Sequence, residues 1–183
     1  VILIDGDLRK PSLNRRFGLE DRIGLSQLLL GVATLEEVLR PITETLFLLP
    51  SGPLPPDPPA LLRSKRLREI IALATEEADL VVVDSAPLLA VTDPMLFASA
   101  VDGALLVVDT TSSRREAVVQ AAELLSLAGL NVIGAVLNKE RSRKSSSYYY
   151  YYGSSSSSGD GHQSRGAKRS WKPNFSRICK RAR

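Results

Sequence analysis

Five short apolar runs recur along the chain and predict β-strands. They are VILID at the start of the chain, TLFLLPSG, DLVVVDS, DGALLVVDT and NVIGAVLN. The runs are rich in Val, Ile and Leu and do not alternate with polar residues, a pattern typical of strands buried on both faces of a sheet. The segments between them carry helical spacing. We therefore predict an α/β fold with a doubly wound, mostly parallel sheet and helices on both faces.

Helix start signals support this fold. KRLREIIALATEEA, PMLFASAV and RREAVVQAAELLSLAG each follow a residue that can cap a helix. These caps are Ser64, Asp93 and Ser112 or Ser113. The segment SGPLPPDPPALL contains five prolines, which remove backbone donors, so we predict a stiff surface loop without regular structure there.

The chain divides into three predicted regions. Apolar residues become sparse after Asn138, so residues 1–140 should form the folded domain. Residues 141–161 form a Ser- and Tyr-rich tail, and residues 162–183 form a basic extension that we expect to be disordered. No internal repeat is evident.

Charge is distributed unevenly between these regions. Residues 162–183 contain 8 of the 24 Lys and Arg residues and no acid, which leaves 16 basic against 20 acidic residues elsewhere, a net charge of −4. The basic balance therefore does not predict nucleic-acid binding by the folded domain. The basic extension could instead bind anionic lipid headgroups.

Several site classes are excluded by composition. Cys179 is the only cysteine, so the chain can form neither an internal disulfide framework nor a multi-cysteine metal site. His162, the only histidine, lies in the basic extension, which excludes a conventional catalytic triad in the folded domain. No apolar run reaches the roughly 18–20 residues that span a bilayer, so we expect membrane association to be indirect or electrostatic.

Polar residues follow every predicted strand. In an open parallel sheet, ligands bind outside the carboxyl ends of the strands, so these residues are the first candidates for chemistry. The candidates are Asp5, Asp7, Ser51, Gly52, Asp84, Ser85, Asp109, Thr110 and Asn138.

The acidic residues among them fit a magnesium site. Asp84 ends a buried apolar run, as does the carboxylate of phosphate-loop nucleotidases that holds Mg²⁺, usually through water. In VILIDGDLRKP, Asp5 and Asp7 could divide metal binding and proton acceptance between them, while Arg9 compensates negative charge. Each motif has an alternative interpretation. Asp84 could simply cap the next turn. Asp5 and Asp7 could belong to an acidic turn whose charge is balanced by Arg9 and Lys10.

VILIDGDLRKP resembles the Walker A prime motif of the bacterial tyrosine kinases that regulate capsule and exopolysaccharide export. GLSQLLLG, SGPLPPDPPALL, VVVDSAPLLAVTDP, the final VLN strand and the tyrosine-rich tail also resemble segments of that family, in the same order. The resemblance covers roughly residues 1–153. The chain reads Ser85-Ala86-Pro87 where the family has a Thr-Pro-Pro run.

The resemblance implies ATP and Mg²⁺ as cofactors and a role for each candidate residue. Asp5 and Asp7, beside Arg9, would serve the metal and the acceptor hydroxyl. Asp84 would be the second metal residue, and Asn138 would lie near the adenine. The phosphoacceptors would be Tyr148, Tyr149, Tyr150, Tyr151 and Tyr152, although the five tyrosines could also be a low-complexity tract without a role.

The same resemblance implies partners and a location. A tail would enter the active site of the next subunit in a ring of identical chains, and phosphorylation would dissolve the ring by charge repulsion. A membrane polysaccharide co-polymerase, on the same or a separate chain, would hold the kinase at the inner face of the plasma membrane and activate it.

One required element is missing from the sequence. No GxxxxGK[ST] phosphate loop occurs in the chain, whereas the family places that loop just before the strand that ends at Asp5. We therefore expect that the sequence is truncated at its start and that this polypeptide alone is inactive. Two other functions stay open: a partition or division-site ATPase, and a non-catalytic scaffold that carries the tyrosines.

Overall fold

The computed structural model describes residues 1–19 and 23–140, and Val1–Asn138 forms one compact unit. The predictions for the tyrosine cluster and for the basic extension concern residues outside these ranges. Within the described residues, no helix combines the length and the apolar character that crossing a membrane requires.

The architecture is α/β, as predicted. The strands are β1 (Ile2–Asp5), β2 (Arg40–Pro41), β3 (Phe47–Leu49), β4 (Val81–Asp84), β5 (Ala104–Asp109) and β6 (Val132–Asn138). The helices are α1 (Leu13–Arg16), α2 (Leu25–Leu30), α3 (Leu35–Val38), α4 (Pro58–Leu62), α5 (Arg66–Glu77), α6 (Asp93–Phe97) and α7 (Arg115–Leu127). All five predicted strands are present, and the two-residue β2 is an addition that the apolar pattern did not predict.

The strands form two sheets among the described residues. The larger has the order β2-β3-β1-β4, in which β1 pairs in parallel with β3 and with β4, and β2 pairs antiparallel with β3. The smaller consists of β5 and β6, paired in parallel. In the larger sheet the register places Asp5 beside Asp84, so two acidic strand ends are neighbours.

The main core lies against one face of β1. Ile2 and Ile4 are almost fully buried there and belong to a cluster that includes apolar residues of α2, α4, α5 and α6. In α5 the buried positions are Leu67, Ile70, Ile71 and Ala74. This spacing of three and four residues places them on one helical face. The core thus holds the strand whose carboxyl end carries Asp5.

The prediction that the strands are buried on both faces is wrong for β4, β5 and β6. Val82, Leu105 and Val107 are 41%, 57% and 61% exposed. Leu105 and Val107 are two positions apart and so share one face of β5, and that face is open in the part of the chain that the structure describes. An apolar run predicts a strand but does not show which neighbours cover it.

The prediction of an irregular proline loop is also wrong in part. Residues Pro58–Leu62 form α4, and the carboxylate of Asp57 accepts a hydrogen bond from Ala60 N at 3.1 Å at its start. Pro58 and Pro59 occupy the first turn, where backbone N–H groups have no partner within the helix, so proline is tolerated. Pro58 and Leu62 are buried, which fixes the segment on the core.

The predicted helix starts are close to the observed ones but the caps differ. α5 is preceded by Lys65, α6 by Thr92 and α7 by Arg114, and none of the three donates or accepts a side-chain capping bond. Asp93 is instead the first residue of α6, and that helix ends at Phe97, earlier than the apolar pattern suggested. The side chain of Asp93 is therefore available for another contact.

Candidate functional site

Asp5 and Asp84 end neighbouring parallel strands in the same register. Asp5 is fully buried, whereas Asp84 is exposed. Oδ2 of Asp5 accepts a hydrogen bond from the backbone N–H of Leu13, the first residue of α1, at 3.0 Å. Oδ1 of Asp5 is buried and has no hydrogen-bond partner among the described residues. Burying a carboxylate oxygen without a hydrogen-bond partner costs free energy, unless a bound ligand supplies that partner.

Asp7 lies in the turn that follows β1. Its Oδ1 accepts hydrogen bonds from the backbone N–H groups of Arg9 at 3.0 Å and Lys10 at 2.9 Å. The N–H of Gly6 donates to the carbonyl oxygen of Asp84 at 2.7 Å. The turn is thus joined to the end of β4, and Asp5, Asp7 and Asp84 are brought to one edge of the sheet, as the sequence predicted.

The three carboxylates influence one another electrostatically. Burial raises the pKa of Asp5, and the Asp84 carboxylate raises it further, against the opposing effect of the Leu13 N–H. Partial desolvation raises the pKa of Asp84 although the residue is solvent-exposed, and the Asp7 carboxylate adds to that effect while Arg16 opposes it. Arg16, in the last turn of α1, is therefore a charged neighbour of the site that the sequence analysis did not single out. The site has excess negative charge, which favours a bound cation.

Arg9 lies beside the acidic turn, and its guanidinium binds Asp93. Arg9 Nε is 2.7 Å from Asp93 Oδ2, and Arg9 Nη2 is 3.0 Å from Asp93 Oδ1. Asp93 is 1% exposed and Arg9 is 38% exposed. This pair could not be predicted from the sequence, because an aspartate before a proline is typical of a helix start and gives no signal for a contact 84 residues away.

Two other strand ends have different roles. Ser51 is buried, its Oγ donates to the carbonyl oxygen of Gly52 at 3.2 Å, and its own carbonyl accepts from Ser26 N at 2.9 Å. The bond from Ser26 N attaches the end of β3 to α2. Asn138 ends β6 beside Asp109, on the two-stranded sheet and not on the sheet that carries the acidic pair. A role for Asn138 near an adenine stays a prediction.

Within residues 1–19 and 23–140, no group of three or more His, Cys, Asp or Glu side chains is arranged to hold a metal ion. Asp5 and Asp84 nevertheless supply two carboxylates. Mg²⁺ in nucleotide enzymes usually takes only one or two carboxylates from the protein and fills its other positions with substrate phosphates and water. The acidic pair fits a cation that arrives with a nucleotide.

The raised pKa values predict how stability depends on pH. A carboxyl with a raised pKa binds its proton more tightly in the folded chain, so we expect stability to increase as pH falls from neutral toward the ordinary value of 3.8, and to be lost as pH rises through the raised pKa. Asp5→Asn should remove an unfavourable charge, so we expect it to raise the free energy of unfolding at pH 7 and to reduce the gain in stability between pH 7 and pH 5.

Urea unfolding of wild type and Asp5→Asn at pH 7 and pH 5 measures this effect. The exposed Asp79, at the opposite end of the segment that forms β4, is the matched control, and Asp79→Asn should stay within about 0.5 kcal/mol of wild type. An Asp5→Asn variant less stable than wild type at pH 7 would contradict the charge argument.

Known proteins resemble the chain over most of its length. Tyrosine-protein kinase YwqD of Bacillus subtilis is 37% identical over 145 residues, which are 79% of this chain and 61% of YwqD. The solved VpsO kinase domain is 32% identical with a TM-score of 0.72, over 76% of this chain and 70% of that domain. The kinase domain of the Escherichia coli tyrosine kinase ETK is 33% identical with a TM-score of 0.75, over 82% of this chain and 60% of that domain.

A more distant neighbour bears on the fold alone. The septum site-determining protein MinD of Pyrococcus horikoshii, solved in complex with Mg-ADP, is 23% identical with a TM-score of 0.58 over 74% of this chain and 56% of MinD. This likeness shows a shared fold and nothing further about the chain.

No protein-family model matches the chain. The VpsO domain is nevertheless more than 30% identical, and the chain covers more than two thirds of it. YwqD and ETK, which are both named tyrosine kinases, agree with this match. The chain spans about three fifths of the length of YwqD. The acidic strand ends on which the resemblance was based lie together in the structure. The chain therefore belongs to the bacterial tyrosine kinase family.

Proposed function

We propose that this protein takes part in ATP-dependent phosphorylation of tyrosine and that its own tail, Tyr148–Tyr152, is an acceptor. The observation that carries the proposal is the pairing of Asp5 with Asp84 at adjoining strand ends, where Oδ1 of Asp5 lacks a hydrogen-bond partner among the described residues. Kinship with named tyrosine kinases supports the reaction class. The five adjacent tyrosines supply acceptor hydroxyls on the same chain.

Asp5 and Asp84 would hold Mg²⁺, with phosphate oxygens and water as the remaining ligands. When bound, the ion neutralises negative charge on the phosphates during transfer. The two aspartates are suited to this because each has a raised pKa in a crowded acidic site. A cation would lower both pKa values and stabilise the charged forms.

Asp7 is the residue suited to accept the tyrosine proton. It is less buried than Asp5, and only its Oδ1 is used by the backbone N–H groups of the turn in the hydrogen bonds described above. In the reaction the tyrosine oxygen bonds to the γ-phosphorus, the bond from that phosphorus to the β–γ bridging oxygen breaks, and ADP leaves. The hydroxyl proton passes to the Asp7 carboxylate.

The wider role that we propose is regulation of capsular or exopolysaccharide export. A membrane co-polymerase would activate the kinase and hold it at the inner face of the plasma membrane, and identical chains would assemble into a ring that exchanges tails. Each phosphate adds about −1.5 to −2 charges, so several on one tail would weaken such a ring by repulsion. No contact with nucleic acid is part of this proposal.

The test uses a fusion that provides a phosphate loop. The part of YwqD that lies ahead of its counterpart of Val1 is joined to this chain, and binding of a fluorescent ATP analogue verifies that the nucleotide site has assembled. With ATP and Mg²⁺, we expect phosphotyrosine in Tyr148–Tyr152, found by mass spectrometry and lost when all five are changed to Phe.

Two results would count against tail phosphorylation. A fusion that binds and hydrolyses ATP without forming phosphotyrosine would favour the division-site type of ATPase, whose fold the MinD neighbour shares. A fusion that phosphorylates an added tyrosine copolymer but not its own tail would keep the kinase and remove Tyr148–Tyr152 as acceptors.

A further inference from the structure

The ion pair between Arg9 and Asp93 links the acidic turn to a distant part of the chain. The two residues are 84 positions apart, and the guanidinium contacts both carboxylate oxygens of Asp93, at 2.7 and 3.0 Å. Bidentate pairs of this kind fix orientation as well as distance. Because Asp93 is 1% exposed, its carboxylate is desolvated and depends on this partner.

The turn from Gly6 to Lys10 is held at both ends. At its first residue, Gly6 N donates to the carbonyl oxygen of Asp84 at 2.7 Å. In the middle, Leu8 is 1% exposed and packs into the core. At its far end, Arg9 is fixed through Asp93 at the start of α6. Asp7 lies between these points, and its Oδ1 accepts from the N–H groups of Arg9 and Lys10.

The surroundings of the pair are themselves packed. α6, which begins at Asp93, contacts α4, and Asp57 at the start of α4 is among the carboxylates that act electrostatically on Arg9. Phe97 at the end of α6 is 4% exposed in the core. Asp93 is thus a rigid anchor, whereas the turn that carries Asp7 has no helix or strand of its own.

We propose that Arg9 and Asp93 are positioning residues for Asp7, acting through the backbone of the turn, and that they do not contact the transferred phosphate. The proposal rests on the assigned role of Asp7 as proton acceptor. Without the ion pair, the turn would keep its attachments at Gly6 and Leu8, and the chain after it would stay bound to Asp5 through the Leu13 N–H, but Arg9 would lose its anchor. The hydrogen bonds from the N–H groups of Arg9 and Lys10 to the Asp7 carboxylate would then open more often. Asp7 would no longer be held at a fixed position relative to Asp84.

Amide hydrogen exchange on the full chain tests the positioning without any catalysis. In Asp93→Asn and in Arg9→Lys, which cannot form two parallel bonds, we expect the amides of Arg9 and Lys10 to exchange about tenfold faster or more. The amide of Ile2, which donates to Leu80 O at 3.0 Å at the start of β1, should be unchanged. Asp79→Asn is the matched control.

Arg9→Lys changes the more exposed partner and serves if Asp93→Asn fails to fold. Unchanged exchange at Arg9 and Lys10 in a folded variant would overturn the proposal. An equal acceleration at Ile2 would also overturn it, because the pair would then contribute only to global stability.

Kinetics of the YwqD fusion separate positioning from phosphate binding. We expect kcat for tyrosine phosphorylation to fall about 10- to 100-fold in Arg9→Lys, with KM for ATP within about twofold of the parent fusion. A large rise in KM for ATP would show instead that Arg9 binds the nucleotide. If the parent fusion transfers no phosphate, the proposed function fails while the exchange experiment still decides whether the pair holds the turn.

Discussion

Gly6→Ala is expected to destabilise the chain by about 3 kcal/mol, at the upper end of the usual cost of overpacking. A Cβ atom at this position would lie 2.8 Å from the Asp84 carbonyl oxygen, 2.8 Å from Phe97 Cζ and 2.9 Å from Val83 Cγ1. The first of these atoms belongs to the backbone of β4 and cannot rotate away. The added methyl group must therefore push the turn away from the strand.

Urea unfolding measures this cost, and Gly134→Ala in β6 provides the comparison. A Cβ atom at Gly134 would meet only Leu105 Cδ1, at 3.8 Å, which is ordinary contact. We expect Gly134→Ala to leave the free energy of unfolding unchanged or to raise it by up to about 1 kcal/mol, because glycine loses more conformational freedom on folding than alanine does. If Gly6→Ala were as stable as Gly134→Ala, the close approach of the turn to β4 would be wrong.

The second large effect is on catalysis. In the YwqD fusion, Asp84→Asn is expected to reduce tyrosine phosphorylation by about 100-fold or more, because the amide keeps the shape of the carboxylate but not its charge on the metal. The raised pKa of Asp84 shows that its charge is unfavourable in the unliganded fold. The variant should therefore be at least as stable as its parent.

Initial rates of phosphotyrosine formation, together with urea unfolding, separate these two effects. Asp79→Asn changes the same residue type just before the amino end of β4, where the side chain is exposed, and should keep the parent rate. Equal rates for Asp84→Asn and Asp79→Asn would remove Asp84 from the site. A loss of activity that accompanied unfolding would assign Asp84 a structural role.

The juxtaposition of the two acidic strand ends could be predicted from the sequence because it depends only on local patterns. An apolar run predicts a buried strand, an aspartate after it marks the carboxyl end, and neighbouring parallel strands bring such ends together. Asp5 satisfied each step, and Asp84 satisfied each step except the burial of its strand. The Arg9–Asp93 pair could not be predicted in this way, because no residue near either one in the sequence specifies a partner 84 positions away.

The incorrect predictions have similar causes. Proline was taken as a breaker of regular structure, but Pro58 and Pro59 stand in the first helical turn, where the missing N–H groups cost nothing. Val82 and Val107 are apolar, and residue type alone suggested burial on both faces. Burial depends on which strands and helices cover a residue, and the pattern within one strand does not contain that information.

The pairing of Asp5 with Asp84 has a consequence for sequence divergence. Neighbouring strands lie about 4.8 Å apart, a spacing set by main-chain hydrogen bonds that every amino-acid sequence shares. The separation of these two strand ends is therefore nearly independent of which apolar side chains fill the core. Substitutions among the apolar residues of the interior can therefore accumulate without moving the strand ends at Asp5 and Asp84 apart.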